Sequence, residues 1–197
     1  MVTFNLISDM NVPKDCKRAI HNGIKFVFEK YFHNTQLKLP NSITKINTKS
    51  AKMPVTRMSS DYFIGKYLAN YNFPKGDFHV IMTKHCVDGK RVLGENRGFA
   101  QMKGGSIATI IRINMNNVYD AAKFFGVPAS AILEYETRHE FMHSHLMFLY
   151  DNFFKDGHCP NKNCLMHYNK NSKKLLDLCP ECQQAINKFR FKISLEW

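Results

Sequence analysis

The chain has 197 residues and a mass of 22.9 kDa, a length that favours one domain of ordinary size. Hydrophobic residues make up 44% of it, with 16 Phe, 8 Tyr and 10 Met, so the composition excludes disorder across the whole chain. No window approaches the run of about 18 uncharged apolar residues that a membrane span needs. The 28 Lys and Arg exceed the 16 Asp and Glu and give a net charge of +12, which favours acidic partners.

The cysteines are unevenly placed along the chain. Four of the six crowd into 24 residues near the C-terminal end, whereas Cys16 and Cys86 are isolated. The N-terminal MVTFNLISDMNVPKD lacks a basic segment followed by an apolar run, so we expect no secretory signal and an intracellular location, cytoplasmic or nuclear. In such a reducing compartment, pairs at C-x4-C and C-x2-C spacing indicate a metal site rather than disulfides. The four are Cys159, Cys164, Cys179 and Cys182.

Two elements in the first half of the chain have clear periodicity. Apolar side chains at helical spacing, with lysines between them, predict an amphipathic helix over 14–32. Residues 34–60 are polar and predict a loop with a short strand over 43–46, and the pattern over 61–71 is weakly helical. Alternation in DFHVIMT predicts a strand over 77–83.

The second half begins with a glycine-rich stretch, which predicts turns and irregular strand ends. The run SIATIIRI predicts a strand over 106–113. A short helix over 118–125 is predicted to close at Gly126, and Pro128 can open the next helix because the first turn does not need its missing N–H. That helix runs through Arg138 into the 140s. The order of helix, strands, long helix and cysteine-rich end predicts an α+β fold.

The predicted long helix contains His-Glu-Phe-Met-His at 139–143. Histidines four positions apart lie on one helix face, so His139 and His143 can both reach one ion. Zinc accepts neutral imidazole nitrogen and acidifies a water molecule, from which the adjacent Glu140 can take a proton. This HExxH segment therefore predicts a catalytic zinc with Glu140 as general base.

A catalytic zinc needs a third protein ligand, and four side chains after His143 are candidates: His145, Asp151, Asp156 and His158. His145 points about 200° away from His143 round the helix. If the helix continued to Phe154, its end would lie about 16 Å past His143, and the extended chain from there to His158 spans only about 13 Å. A ligand role for His158 therefore requires the helix to end several residues before Phe154.

The two cysteine pairs are separated by 14 residues and can wrap one tetrahedral zinc. Such a metal would stabilise a terminal segment that is too polar to hold its shape alone. Because Cys159 directly follows His158, this second site would also fix the position of that histidine. The alternative is a zinc ribbon that binds nucleic acid, since lysines surround the segment at Lys162, Lys170, Lys173 and Lys174.

The spacing of these residues resembles that of the archaemetzincins, a metzincin branch of zinc peptidases, whose motif reads HExxHxxGxxHC, then x4-C-x-M and later C-x-x-C. Here HExxH stands at 139–143, Gly-His-Cys at 157–159, Cys-Leu-Met at 164–166 and Cys-Pro-Glu-Cys at 179–182. The C-terminal part carries the resemblance, and the N-terminal part is compatible with it.

This resemblance implies a metzincin-like mixed sheet with a long active-site helix and a C-terminal zinc-stabilised segment. It implies His139, His143 and His158 as ligands of a catalytic zinc and Glu140 as general base. It implies the four C-terminal cysteines as ligands of a structural zinc, hence two zinc ions per chain. It also implies Met166 as the methionine of the turn beneath the catalytic metal.

One departure from the family's pattern lies before the third ligand. His158 follows His143 by 15 positions rather than six, and Leu146 stands where the family has glycine. The resulting insertion over 146–156 is rich in aromatic residues and would shape the substrate site or pack locally. SprT/Spartan-like proteases, which act on DNA–protein crosslinks, also have HExxH and a later Gly-His at long spacing, but C-x4-C-x-M is not their pattern.

Two further roles are implied by similarity to metzincins. Met166-His167-Tyr168 resembles the methionine turn of the astacin and serralysin branches, which implies Tyr168 as a hydrogen-bond donor to the oxyanion. In the metzincin pattern an extended peptide substrate pairs with an edge strand of the sheet. The strand over 106–113 is expected to be either that edge strand or a central strand with no free edge.

Together these features predict a single catalytic domain over 1–197 that contains a cysteine-rich zinc segment over 158–184. The predicted activity is hydrolysis of peptide bonds in peptide or protein substrates, as an endopeptidase or an aminopeptidase. The basic charge makes nucleic acid a further candidate partner, no membrane partner is expected, and no oligomeric state is predicted. The alternatives are a DNA-associated SprT-like protease and a non-enzymatic zinc protein that binds nucleic acid or a protein partner.

Overall fold

The computed structural model describes residues 1–32, 35–46, 77–84, 93–101, 107–150, 158–167 and 177–195. The expected helix over 61–71 lies outside these ranges. No helix in them has the length and apolarity needed to cross a bilayer. The strands are β1 (Val2–Ser8), β2 (Leu37–Lys38), β3 (Ile43–Lys45), β4 (Phe78–Thr83), β5 (Gly94–Gln101) and β6 (Ile107–Asn114), and the helices are α1 (Lys14–Tyr31), α2 (Met115–Phe125), α3 (Ala129–Tyr150) and α4 (Pro180–Leu195).

The strands form one mixed sheet, as the α+β prediction requires. Their order is β2-β1-β4-β6-β5, with β3 also paired to β1. All described pairings are parallel except β5 with β6, which is antiparallel and irregular between Asn96 and Phe99.

The expectation that the strand near 106–113 forms the sheet edge is wrong. That strand is β6, and it pairs with β4 on one side and with β5 on the other. Its residues Ile110, Ile111 and Ile113 are all buried, as is typical of an interior strand covered on both faces. Within the described chain, β5 is the last strand on this side of the sheet.

An aromatic cluster fixes α1 and α3 on the same face of the sheet. Phe4 of β1 lies 5.4 Å from Phe28 of α1 and 5.6 Å from Phe141 of α3, measured between ring centroids. Phe78 of β4 stacks on Phe4 at 5.0 Å and contacts Phe141 at 5.3 Å. Because Phe141 lies between the two predicted histidine ligands in sequence, the core directly positions the part of α3 that carries HExxH.

A tight turn sets where α3 begins. Asn114 caps α2 by accepting a hydrogen bond from Asn117 N at 3.2 Å. Gly126 ends α2 in the left-handed region at φ 64°, which a glycine adopts without steric cost. The next helix starts at Ala129, directly after Pro128, as the sequence predicts.

The contact between α1 and α3 is close at one glycine. A Cβ on Gly23 would lie 2.8 Å from Cβ of Thr137 and 3.0 Å from the carbonyl oxygen of Glu134. Thr137 is fully buried, and its hydroxyl donates to the Leu133 carbonyl at 2.7 Å, so it cannot rotate away without losing that bond.

Gly23→Ala is expected to destabilise the protein. Alanine gains about 1 kcal/mol of helix propensity over glycine, but the clash with Thr137 and the Glu134 backbone outweighs it, because overpacking costs about 1–3 kcal/mol. Urea unfolding should give a free energy of unfolding lower by up to about 2 kcal/mol. Asn22→Ala on the exposed side of α1 is the control and should not lower it. An equal or greater stability of Gly23→Ala would contradict this packing.

Candidate metal centre

The structure brings His139, His143 and His158 together. Their nearest ring nitrogens all lie within 4.8 Å of one another, and the Nε2 atoms of His139 and His143 are 3.0 Å apart. The His158 ring lies 5.4 Å from the His139 ring and 4.8 Å from the His143 ring, between centroids. Three imidazoles therefore face a common point.

The length of chain between α3 and His158 is sufficient for this meeting. The described part of α3 runs to Tyr150, four residues before Phe154. The chain from Tyr150 to His158 can span about 27 Å when extended, more than the distance back along the helix to His143, which is about 10 Å. Asp151 and Asp156, two other candidate ligands, lie outside the described residues, as does most of the insertion. His145, the remaining candidate, lies within α3.

One hydrogen bond fixes the orientation of the first histidine. Nδ1 of His139 lies 2.8 Å from the carbonyl oxygen of Leu165. A carbonyl can only accept, so Nδ1 carries the proton and Nε2 presents its lone pair to the cluster. This is the arrangement in which a histidine binds a metal through Nε2.

The environment keeps the second histidine neutral. Burial, reinforced by the neighbouring His139 and His158, lowers the pKa of His143 to about 2. A neutral imidazole has a lone pair for a metal, so at neutral pH no proton has to be displaced from His143 before binding.

Glu140 lies beside the first strand residue of β5. It is 4% exposed, and its Cγ lies 3.1 Å from where a Cβ on Gly94 would stand. A second carboxylate, Glu136, lies one helical turn earlier and is 2% exposed, with Oε1 2.9 Å from the same point. A Cβ at position 94 would meet both side chains, so the glycine favours this close approach of β5 to the pair of buried carboxylates.

The four C-terminal cysteines form a second cluster. All four are buried, and their sulfur atoms lie within 4.8 Å of one another. Sγ of Cys159 is 3.6 Å from that of Cys179, and Sγ of Cys164 is 3.7 Å from that of Cys182. None of the four forms a disulfide. Sulfurs bound to one tetrahedral zinc are about 3.8 Å apart, so the observed spacing fits a Zn–S4 site.

Backbone N–H groups point at the sulfurs of this cluster. Cys164 Sγ accepts from Cys179 N at 3.3 Å and from Met166 N at 3.5 Å, and Cys159 Sγ accepts from Asn161 N at 3.4 Å. Hydrogen bonding with Cys182 and with the N–H groups of Cys179 and Met166 lowers the pKa of Cys164 to about 5, whereas burial raises the pKa of Cys179 to about 12.

The two clusters are joined by a short loop. Cys159 directly follows His158, and its N–H donates to the carbonyl of Met166 at 2.8 Å. Met166 is fully buried and directly follows the residue whose carbonyl orients His139. The predicted oxyanion donor, Tyr168, lies outside the described residues.

Sequence reasoning missed several contributors. Leu165 acts through a backbone carbonyl, which no residue pattern could single out. The carboxylate at Glu136 could have been found, because it precedes Glu140 by four positions and therefore shares its helix face. Gly94 appears in the sequence as one glycine of a glycine-rich stretch, and only the pairing of β5 with β6 brings it to Glu140.

No family model matches this sequence, and neither does any curated protein. Among solved structures, the chain is similar to the crystal structure of archaemetzincin from Methanopyrus kandleri, with a TM-score of 0.59 over 95% of this chain and 94% of that one. The two are 15% identical in sequence. The comparison confirms the predicted fold class, and function has to be argued from the site itself.

The tautomer of His139 provides a test of this geometry. We expect the metal-free protein at pH 7.5 to have His139 protonated at Nδ1, because the Leu165 carbonyl accepts that proton. Long-range ¹H–¹⁵N correlation spectra report which ring nitrogen carries the proton, and loss of the signal in His139→Asn assigns it. A spectrum with the proton on Nε2 would rule out the bond to Leu165.

Proposed function

We propose that this protein is a zinc-dependent metallopeptidase that hydrolyses peptide bonds in peptide or protein substrates. The observation that carries the proposal is the convergence of three imidazoles beside a buried glutamate that follows the first of them. The similarity in fold to archaemetzincin, together with the separate cluster of four cysteines, supports it.

The residues divide into two proposed metal sites. His139, His143 and His158 would hold a catalytic zinc through three nitrogens, which leaves a coordination position for water or substrate. The four buried cysteines would hold a structural zinc, giving two ions per chain. Bound thiolates of this kind are suited to a reducing compartment.

Zinc at the histidines would supply Lewis acidity, which polarises a carbonyl group and acidifies water. Glu140 would then accept the proton of the attacking water and deliver it to the leaving amine. Its burial keeps bulk water from competing for that proton. Tyr168 is the proposed donor to the oxyanion, and Met166 the proposed methionine beneath the metal.

The substrate is proposed to bind along β5 rather than along β6. β5 pairs only with β6 in the described chain, and it begins at the glycine that lies against Glu140. An extended peptide added to the outer side of β5 would form main-chain hydrogen bonds and pass the general base. This arrangement accommodates a chain on both sides of the scissile bond, so we favour endopeptidase activity.

Glu140→Gln is expected to abolish hydrolysis while zinc binding is kept. The amide is nearly the same size but cannot accept a proton, and loss of general-base catalysis costs about 10²–10⁴-fold in rate. Cleavage of a quenched peptide library and zinc content should be measured on the same samples. Glu29→Gln, the same change at an exposed position of α1, is the control. Full activity in Glu140→Gln would refute this mechanism. If the protein is a non-enzymatic zinc protein, neither the wild type nor Glu140→Gln would cleave the peptides.

The zinc content should separate the two proposed sites. Elemental analysis should find two zinc ions per wild-type chain and about one in His158→Ala, because a site with two remaining ligands binds weakly. The four thiols should stay protected from a thiol reagent in that variant. An unchanged zinc content in His158→Ala would mean that a different residue is the third ligand.

A further inference from the structure

The orientation of His139 depends on the position of the Leu165 backbone. The Leu165 carbonyl accepts from His139 Nδ1 at 2.8 Å and from the Tyr135 hydroxyl at 3.3 Å. Both donors lie on α3, one helical turn apart. A displacement of Leu165 would therefore release the first histidine of the cluster from its fixed tautomer and direction.

Leu165 is itself held by a residue outside both metal clusters. Its N–H donates to the carbonyl oxygen of Asp177 at 2.7 Å, as part of a parallel bridge between Cys164 and Asp177. The Asp177 backbone thus holds the peptide unit that precedes the Leu165 Cα, and the Leu165 carbonyl belongs to the next peptide unit, on the other side of the same Cα.

The side chain of Asp177 ties this backbone to α1. Its carboxylate accepts hydrogen bonds from the Tyr31 hydroxyl and from Lys30 Nζ, both in the last turn of α1. The N–H of Leu178 also donates to Asp177 Oδ1, at 2.8 Å. Asp177 follows Lys30 by 147 positions and Tyr31 by 146, so the contact is tertiary.

The two α1 contacts differ in expected strength. The Lys30 and Asp177 side chains are 44% and 43% exposed, and ion pairs of that kind contribute little because water screens them. Tyr31 is 6% exposed, so its hydroxyl has few alternative partners in solvent and holds Asp177 in one geometry. Burial also raises the pKa of Tyr31, which keeps the hydroxyl protonated as a donor.

We propose that Asp177, anchored by Tyr31, is a positioning residue for the three-histidine site, and that it acts through the backbone of Leu165 on His139. The inference rests on the proposed metal binding by the histidines, but not on peptidase activity. It connects the C-terminal end of α1 to a metal ligand through three hydrogen bonds: Tyr31 to Asp177, Leu165 to Asp177, and His139 to Leu165.

The test compares zinc affinity at the two sites in three variants. Asp177→Asn weakens the acceptor, and Tyr31→Phe removes the hydroxyl that donates to Asp177 and accepts from Leu178 N at 3.4 Å. Asp77→Asn is the matched control, because Asp77 also accepts a backbone N–H through its side chain, from Thr3 at 2.7 Å, and another through its carbonyl, from Thr109 at 2.8 Å. It makes these contacts at the start of β4, among residues of β1 and β6.

Each protein is loaded with zinc and equilibrated with chelators of graded zinc affinity, and the zinc retained per chain is measured. Protection of the four thiols reports the cysteine site separately. Asp177→Asn and Tyr31→Phe should lower the zinc affinity of the histidine site by about 10-fold, with thiol protection unchanged. Asp77→Asn should leave both affinities as in the wild type.

A spectroscopic readout distinguishes positioning from a loss of general stability. In hybrids with zinc at the cysteines and cobalt(II) at the histidines, the visible ligand-field bands report the geometry of the three imidazoles. These bands should change in Asp177→Asn and Tyr31→Phe and stay unchanged in Asp77→Asn.

Either of two outcomes would overturn this inference and leave the proposed function unaffected. One is equal histidine-site affinity and identical cobalt spectra in all four proteins. The other is release of zinc from both sites together in Asp177→Asn, which would mean that the residue supports only the cysteine segment. A wild type that binds a single zinc would overturn the proposed function as well, whereas two zincs without peptide cleavage would count against the peptidase activity only.

Discussion

The hydrogen bond from His139 to the Leu165 carbonyl is the contact on which the geometry of the site depends. Leu165 lies between Cys164, a member of the cysteine cluster, and Met166, whose carbonyl accepts the N–H of Cys159. The same few residues therefore shape one cluster and orient a histidine of the other. The long helix can place two histidines on one face by itself, but the direction of the first ring comes from the C-terminal loop.

Helix α3 carries an unusual number of buried polar groups over two turns. Glu136, Thr137, Arg138, His139 and Glu140 are each no more than 9% exposed. Burial of such groups is unfavourable unless they are bonded, and part of the compensation is visible. Arg138 pairs with Glu134 at 2.5 Å and stacks on Phe26 of α1 at 3.7 Å from the ring centroid. These contacts and the aromatic cluster around Phe141 hold this part of the helix in place.

Sequence patterns predicted the elements that are set by nearby residues. They did not predict the strands that form because they pair with other strands. The spacing of α1, the alternation of β4 and the turn at Gly126 were each readable from the sequence. β1 was not predicted, because its residues 4–8 are all buried and show no alternation of buried and exposed positions. β5 was not predicted, because GENRGFAQ contains two glycines and no β-branched residue. It forms a strand because it pairs with β6. Motif spacing indicated the histidine and cysteine clusters, whereas Leu165 and Asp177 contribute backbone atoms that no motif reports.

The two clusters do not depend on each other equally. The cysteines all lie within 159–182, and that segment is held by its own hydrogen bonds, from Cys159 N to Met166 and from Leu165 N to Asp177. Two of the three histidines are positioned by this segment: His158 directly precedes Cys159, and His139 is oriented by the Leu165 carbonyl. Loss of order in the cysteine segment would therefore displace two of the three histidines, whereas an empty histidine cluster would leave the hydrogen bonds of the cysteine segment intact. The histidine cluster therefore depends on the order of the cysteine segment through His158 and Leu165.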